Sequence, residues 1–190
     1  MHITLLGDPC TGKSSILEQL AAQDKLVVFE EGWKRIPKEV EEDKPASHRW
    51  FCDYFFDRDK KALATHKEEP IIFERVLHYQ YPLGVAQYKS GKVRKKDFDL
   101  NNEYLDCLTR ELHYGNVAVL YFLSDYQTTI ERLLERGIYK TKAQYRYWDL
   151  IREETRAYFG TWESYFQINT VGKSLEQVYE QFNTILSGLE

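Results

Sequence analysis

Apolar positions along the chain fall into short, nearly unbroken runs separated by stretches with helical spacing. The runs at 2–6, 26–29, 70–73, 117–123 and 166–169 lack the polar alternation of a half-exposed strand. That pattern suits strands of a parallel sheet covered on both faces. Between the runs, Leu17, Leu20 and Ala21 mark one face of a first helix. Trp50, Tyr54, Phe55 and Leu63 mark a long helix over about 46–66. Ile130, Leu133 and Leu134 mark another, which Asp125 caps and Gly137 ends. Leu175, Val178, Phe182, Ile185 and Leu186 mark the last, before Gly188. Strands separated by helices imply right-handed crossovers and a three-layer α/β fold, a five-stranded parallel sheet flanked by helices. With no repeat and no low-complexity linker, the chain reads as a single domain over 1–190.

Composition narrows the function classes. The hydrophobic fraction of 43% and charged fraction of 29% are those of a soluble protein. A formal net charge of −4 argues against a stable nucleic-acid partner. Cys10, Cys52 and Cys107 are odd in number and lack metal-ligand spacing, so they read as reduced thiols. No run is long enough to span a membrane, and 3–6 lacks the basic flank and length of a secretion signal. The expected location is the cytoplasm.

The chemistry starts where the first strand ends. Residues 7–14 read G-D-P-C-T-G-K-S, the full phosphate-loop pattern G-x-x-x-x-G-K-[ST], with a strand before and a helix after. Backbone N–H groups of such a loop wrap a polyphosphate while the helix N-terminus faces the same anion. Gly7, Asp8, Pro9, Cys10, Thr11, Gly12, Lys13, Ser14 and Ser15 are therefore the expected ATP-binding residues. Lys13 meets the β- and γ-phosphates, and the Ser14 hydroxyl sits on Mg²⁺.

Further acids and cations stand at the other strand ends, where open α/β sheets place their ligands. The second strand runs into Glu30-Glu31-Gly32, and phosphoryl transfer needs a base for the attacking hydroxyl. Glu30 is the candidate, with Glu31 second. The third strand runs into Glu74-Arg75; Glu74 suits Mg²⁺, and Arg75 suits the transferring phosphoryl group or the acceptor. Arg132 and Arg136 lie four apart on one helical face before Gly137 and suit a lid over about 136–145. The basic stretch 84–98, with Lys89, Lys92, Arg94, Lys95 and Lys96, reads as a solvated loop between helices. It supplies an anion site only if it lines the cleft.

The order of phosphate loop, Glu30, an aromatic helix with Asp57-Arg58, Glu74-Arg75 and Arg132-x-x-x-Arg136-Gly137 resembles the deoxynucleoside kinases. It is similar, more distantly, to the thymidylate kinases. The resemblance implies the P-loop NTPase fold with a short arginine-bearing lid, and ATP- and Mg²⁺-dependent transfer to the 5′-hydroxyl of a nucleoside. It implies Glu30 as general base, Arg75 near the acceptor oxygen and Glu74 on Mg²⁺. Arg132 and Arg136 then belong to the lid, Arg58 lies near the acceptor, and residues 170–174 seat the donor adenine. By the same likeness a homodimer is expected.

The chain departs from the pattern in five places. Glu31 stands where the family has proline, Val76 where it has serine, and Ile138 where the lid has a third arginine. Phe51 replaces the glutamine that reads the base, and the expected acidic partner falls near Gln80. The phosphoryl-transfer machinery thus matches better than the base-reading machinery. A nucleoside monophosphate kinase, another small-metabolite kinase, and an ATPase or switch module without an acceptor remain alternative readings.

Overall fold

The computed structural model describes residues 1–189 apart from 23–26, 30–31, 33–34 and 68. Every expected strand forms. They are β1 (His2–Gly7), β2 (Val27–Phe29), β3 (Ile71–Glu74), β4 (Val117–Leu123) and β5 (Tyr165–Asn169). All pair in parallel in the order β2-β3-β1-β4-β5. Register sets Leu5 beside Glu74 and Gly7 beside Phe122, so the phosphate loop leaves the sheet between the ends of β3 and β4.

The unbroken hydrophobicity has a direct cause. Successive strand residues point to opposite faces, and both faces are covered. Leu6, Ile71, Phe73, Val119 and Tyr121 enter one apolar cluster, with Phe51 and Phe55 of the long helix α3 (Lys44–Thr65). Ile3, Leu5, Ile72, Leu120 and Phe122 enter the other, with Ile16 and Leu20 of α1 (Lys13–Ala21). Val178 and Phe182, from the C-terminal helix treated below, complete that second cluster.

A four-residue helix α2 (Lys38–Glu41) precedes α3. Asp43 caps α3, its carboxylate accepting from Ala46 N at 3.1 Å. After β3, a single 3-10 turn (Leu77–Tyr79) leads into α4 (Gln80–Lys89), followed by α5 (Lys95–Glu111). The stretch expected as a loop at 84–98 is therefore mostly helix. Lys89 pairs with Glu154 at 2.5 Å and Arg94 with Asp97 at 2.8 Å, and Lys95 pairs with Asp99.

Helix α6 (Tyr126–Glu135) begins as expected at Asp125, whose carboxylate accepts from Thr128 N at 2.6 Å. It ends at Gly137, where φ is +69° and the N–H reaches Leu134 O at 2.9 Å. The next helix, α7 (Lys142–Phe159), was not anticipated. A capping box between Thr141 and Gln144 starts it, and that T-x-x-Q pattern is visible in the sequence. The expected lid at 136–145 thus comprises the end of α6, the glycine turn and the first residues of α7. Ser174 and Gln177 form a second capping box at the start of α8 (Leu175–Ser187), the helix that carries Val178 and Phe182.

Candidate active site

The phosphate loop owes its path to two glycines. Gly7 has φ +133°, and a Cβ there would stand 2.2 Å from the Phe122 carbonyl oxygen. Gly12 has φ +87° and turns the chain into α1, so Lys13 begins that helix. Residues 7–15 all line a cleft of about 610 Å³.

Lys13 is folded into the loop. Its Nζ donates to Asp8 O at 2.6 Å, Gly7 O at 3.1 Å and Thr11 Oγ1 at 3.2 Å. Burial, reinforced by the nearby Arg75 charge, lowers its pKa to about 8, against the opposing pull of Glu74 and Asp8. An anion entering the loop supplies the missing countercharge.

Asp8 is the hub of the loop, a role its place among variable letters did not signal. Its carboxylate accepts from Ser124 N at 2.8 Å and Tyr121 OH at 3.2 Å, both at the end of β4. It also accepts from Arg152 Nε of α7 at 2.8 Å. Arg152 was missed as well. Its signal is the spacing Gln144, Trp148, Ile151 and Thr155, one face of a helix, with Arg152 beside it.

Glu74 and Arg75 both line the cleft from the end of β3. Arg75 takes φ +60°, rare for a residue with a side chain, and its guanidinium carbon lies 4.5 Å from the Tyr79 ring centroid. That strained turn is held from behind by Arg58, which bonds Glu74 O at 3.1 Å and also Arg75 O. Arg58 pairs with buried Asp59 at 2.6 Å too. These bonds turn the guanidinium toward the backbone behind Arg75, and Arg58 is not among the residues that line the cleft.

The two lid arginines separate. Arg136 lines the cleft at its rim. Arg132 does not; it bonds Cys10 O at 3.3 Å, Thr170 Oγ1 at 3.1 Å and Thr170 O at 2.7 Å. Three carbonyl and hydroxyl acceptors orient Arg132 as a brace between the phosphate loop and the turn after β5. That turn, residues 170–174, lies outside the cleft lining and is braced through Thr170. Glu30 and Glu31 lie outside the described residues.

Beyond the phosphate loop the cleft becomes aromatic. Phe51 and Ser47 from α3, Leu83 and Gln87 from α4, and Tyr147 and Trp148 from α7 form this end. Among the described lining residues seven are cationic, including Lys44, Lys92 and Lys140, and two are carboxylates, Asp8 and Glu74. Lys92 Nζ stands 4.4 Å from the Tyr147 ring centroid. This residue of the basic stretch does line the cleft, whereas Lys89, Arg94 and Lys95 are spent in ion pairs.

Ser14 at the head of α1 and Glu74 at the end of the adjoining strand present hard oxygen donors to the same cleft, a set that suits Mg²⁺ shared with phosphate oxygens. No cluster of three or more metal-ligating side chains occurs among the described residues.

No family model and no curated protein matches this chain. Solved structures do. Deoxyadenosine kinase from M. mycoides with bound dATP superposes with a TM-score of 0.77 at 19% identity, covering 98% of this chain and 100% of that one. The same enzyme with bound dCTP gives 0.71 at 18% identity, covering 98% and 100%. Thymidylate kinase from Candida albicans gives 0.71 at 15% identity, covering 98% of this chain and 91% of that one. The chain shares their fold from end to end.

Proposed function

We propose that the protein transfers the γ-phosphoryl group of ATP to the 5′-hydroxyl of a nucleoside, most readily a deoxynucleoside. The observation that carries this reading is the two-ended cleft. A phosphate loop with a buried lysine lies at one end, and an aromatic, amide-bearing chamber at the other. The fold shared with deoxyadenosine kinase supports the same reading.

The reading assigns the following roles, supported by the phosphate-loop pattern and by the residues that line the cleft. Main-chain amides of residues 7–14 and Lys13 hold the triphosphate, and Arg136 adds positive charge where the transferring group becomes exposed. Arg75, held out from the sheet end by the Arg58 brace, orients the acceptor oxygen. Glu30, next in sequence after β2, accepts the proton of the attacking hydroxyl. Ser14 and Glu74 would hold Mg²⁺, which supplies charge neutralisation between the phosphate oxygens. Helix α7 closes the cleft from above and keeps water from competing with the acceptor.

A second reading, a nucleoside monophosphate as acceptor, is favoured by Lys92. A phosphorylated acceptor needs cations beyond the triphosphate site, and Lys92 provides one at the acceptor end. A screen with γ-labelled ATP over nucleosides and their monophosphates tests both readings. Label in a nucleoside monophosphate supports the first and label in a diphosphate the second. Transfer to neither class refutes them.

A further inference from the structure

The acceptor end of the cleft has a polar group that the sequence pattern does not mark. Phe51 occupies the α3 position where an amide was expected, and a phenyl ring cannot hydrogen-bond a base edge. Across the same chamber stands Gln87 of α4, only 6% exposed, yet part of the cleft wall. A buried amide on a largely apolar and aromatic wall must meet a partner or pay the cost of desolvation.

Its surroundings hold it in place. The backbone is pinned, because Gln87 O accepts from Lys92 N at 2.9 Å and from Ser90 Oγ at 3.0 Å. The side-chain amide lies between the Tyr147 hydroxyl and the His48 imidazole, near both and with no well-formed hydrogen bond to either. His48 is 1% exposed, and neither ring nitrogen has a well-formed hydrogen bond. Gly84 makes room for that ring: a Cβ there would lie 2.9 Å from His48 Cε1. Burial pushes the imidazole down to about 4, so it is neutral, with one N–H and one lone pair.

We infer that Gln87 reads the head group of the acceptor, and that His48 is the positioning residue behind it. The inference rests on the nucleoside or nucleotide acceptor proposed above and names the residue that selects among such acceptors. A glutamine amide offers one donor and one acceptor side by side, the complement of a nucleobase edge. Phe51 contributes an apolar face to the same chamber, so the polar selection moves from α3 to α4. A neutral histidine can meet either end of the amide by changing tautomer. His48 therefore supports both orientations of Gln87, and the pocket accepts amino-bearing and oxo-bearing bases alike.

The test compares kcat/KM for adenine, cytosine, guanine and thymine deoxynucleosides, and for their monophosphates, in wild type and variants. Gln87→Leu should raise acceptor KM by about ten- to a hundredfold and change the ranking of bases, with ATP KM held within about twofold. Should Gln87→Leu fail to fold, the near-isosteric Gln87→Glu carries the test. It has no donor when ionised, so the ratio between amino-bearing and oxo-bearing bases must shift. His48→Leu should narrow the range of bases used, and His48→Gln should restore it. An unchanged base ranking in folded Gln87 variants, or equal losses toward ATP and acceptor, overturns the inference. If wild-type protein phosphorylates no nucleoside or monophosphate, the function proposed above falls first and this inference with it.

Discussion

Arg152 donates its Nε to Asp8 Oδ1 across 2.8 Å, tying the helix that roofs the cleft to the second residue of the phosphate loop. Both side chains are largely buried, and Arg152 also reaches Asp149 at 3.2 Å. The lid helix and the nucleotide loop therefore share one carboxylate. Removing the arginine leaves Asp8 with Ser124 N and Tyr121 OH only. Arg152→Met should cost about 2 kcal/mol of stability, lowering Tm by roughly 4–8 °C. It should also weaken ATP binding, because the loop loses its tether. Calorimetric unfolding with and without ATP checks both effects.

On the proposed function, Lys13 should set the pH response of nucleotide binding. Its pKa in the ligand-free protein is lowered to about 8, and phosphate prefers the protonated amine. The bound form must therefore take up a proton wherever the free form has lost one. Affinity should be flat below pH 8 as far as this group is concerned. Above it, affinity should fall by up to about tenfold per pH unit. Titration calorimetry at pH 8.5 in buffers of different ionisation heat should show proton uptake. Lys13→Met should abolish both the uptake and most of the binding.

The two lid arginines should behave differently when cut back to alanine. Arg132 spends its guanidinium on Cys10 O and Thr170, so Arg132→Ala should lower stability and ATP affinity together. Arg136 lines the rim of the cleft, so Arg136→Ala should leave Tm nearly unchanged and lower kcat by about tenfold or more. Melting curves beside steady-state kinetics separate the two. The reverse pattern would interchange their roles.

Much of this was legible in the chain because its signals are local. Phosphate-loop letters, continuous apolar strands and the caps at Asp125 and Gly137 each act within a few residues. Helix α7 was missed because its cleft-facing aromatics, such as Tyr147 and Trp148, are half-exposed and only Thr155 and Phe159 near its end are buried, so no continuous buried stripe announces it. The Thr141–Gln144 capping box and the spacing Gln144, Trp148, Ile151 and Thr155 are the signals that give it away. Arg58 and Arg132 carried the right chemistry for a site, but tertiary placement turned them onto backbone carbonyls. The Asp8–Arg152 pair joins residues 144 positions apart, a relation that no spacing rule reaches.

His48 should make the fold sensitive to acid. Its pKa is about 4 in the folded protein and near 6.5 when unfolded, so the unfolded chain binds the extra proton between those values. Stability contributed by this group is fully present above pH 6.5 and is lost as pH falls toward 4. The loss amounts to roughly 3 kcal/mol. His48→Gln should flatten that part of the Tm-against-pH curve relative to wild type. An unchanged slope would mean that the ring is accessible to solvent protons in the native state.

The claim on which the account depends is that phosphate leaves the loop for an organic hydroxyl. Incubating the protein with Mg²⁺, γ-labelled ATP and each common deoxynucleoside, then identifying the labelled product, tests it most directly. The account predicts label on a 5′-monophosphate, with the rate cut at least a hundredfold in Glu30→Gln while ATP still binds. Label found only in inorganic phosphate, at a rate indifferent to every acceptor, would contradict it.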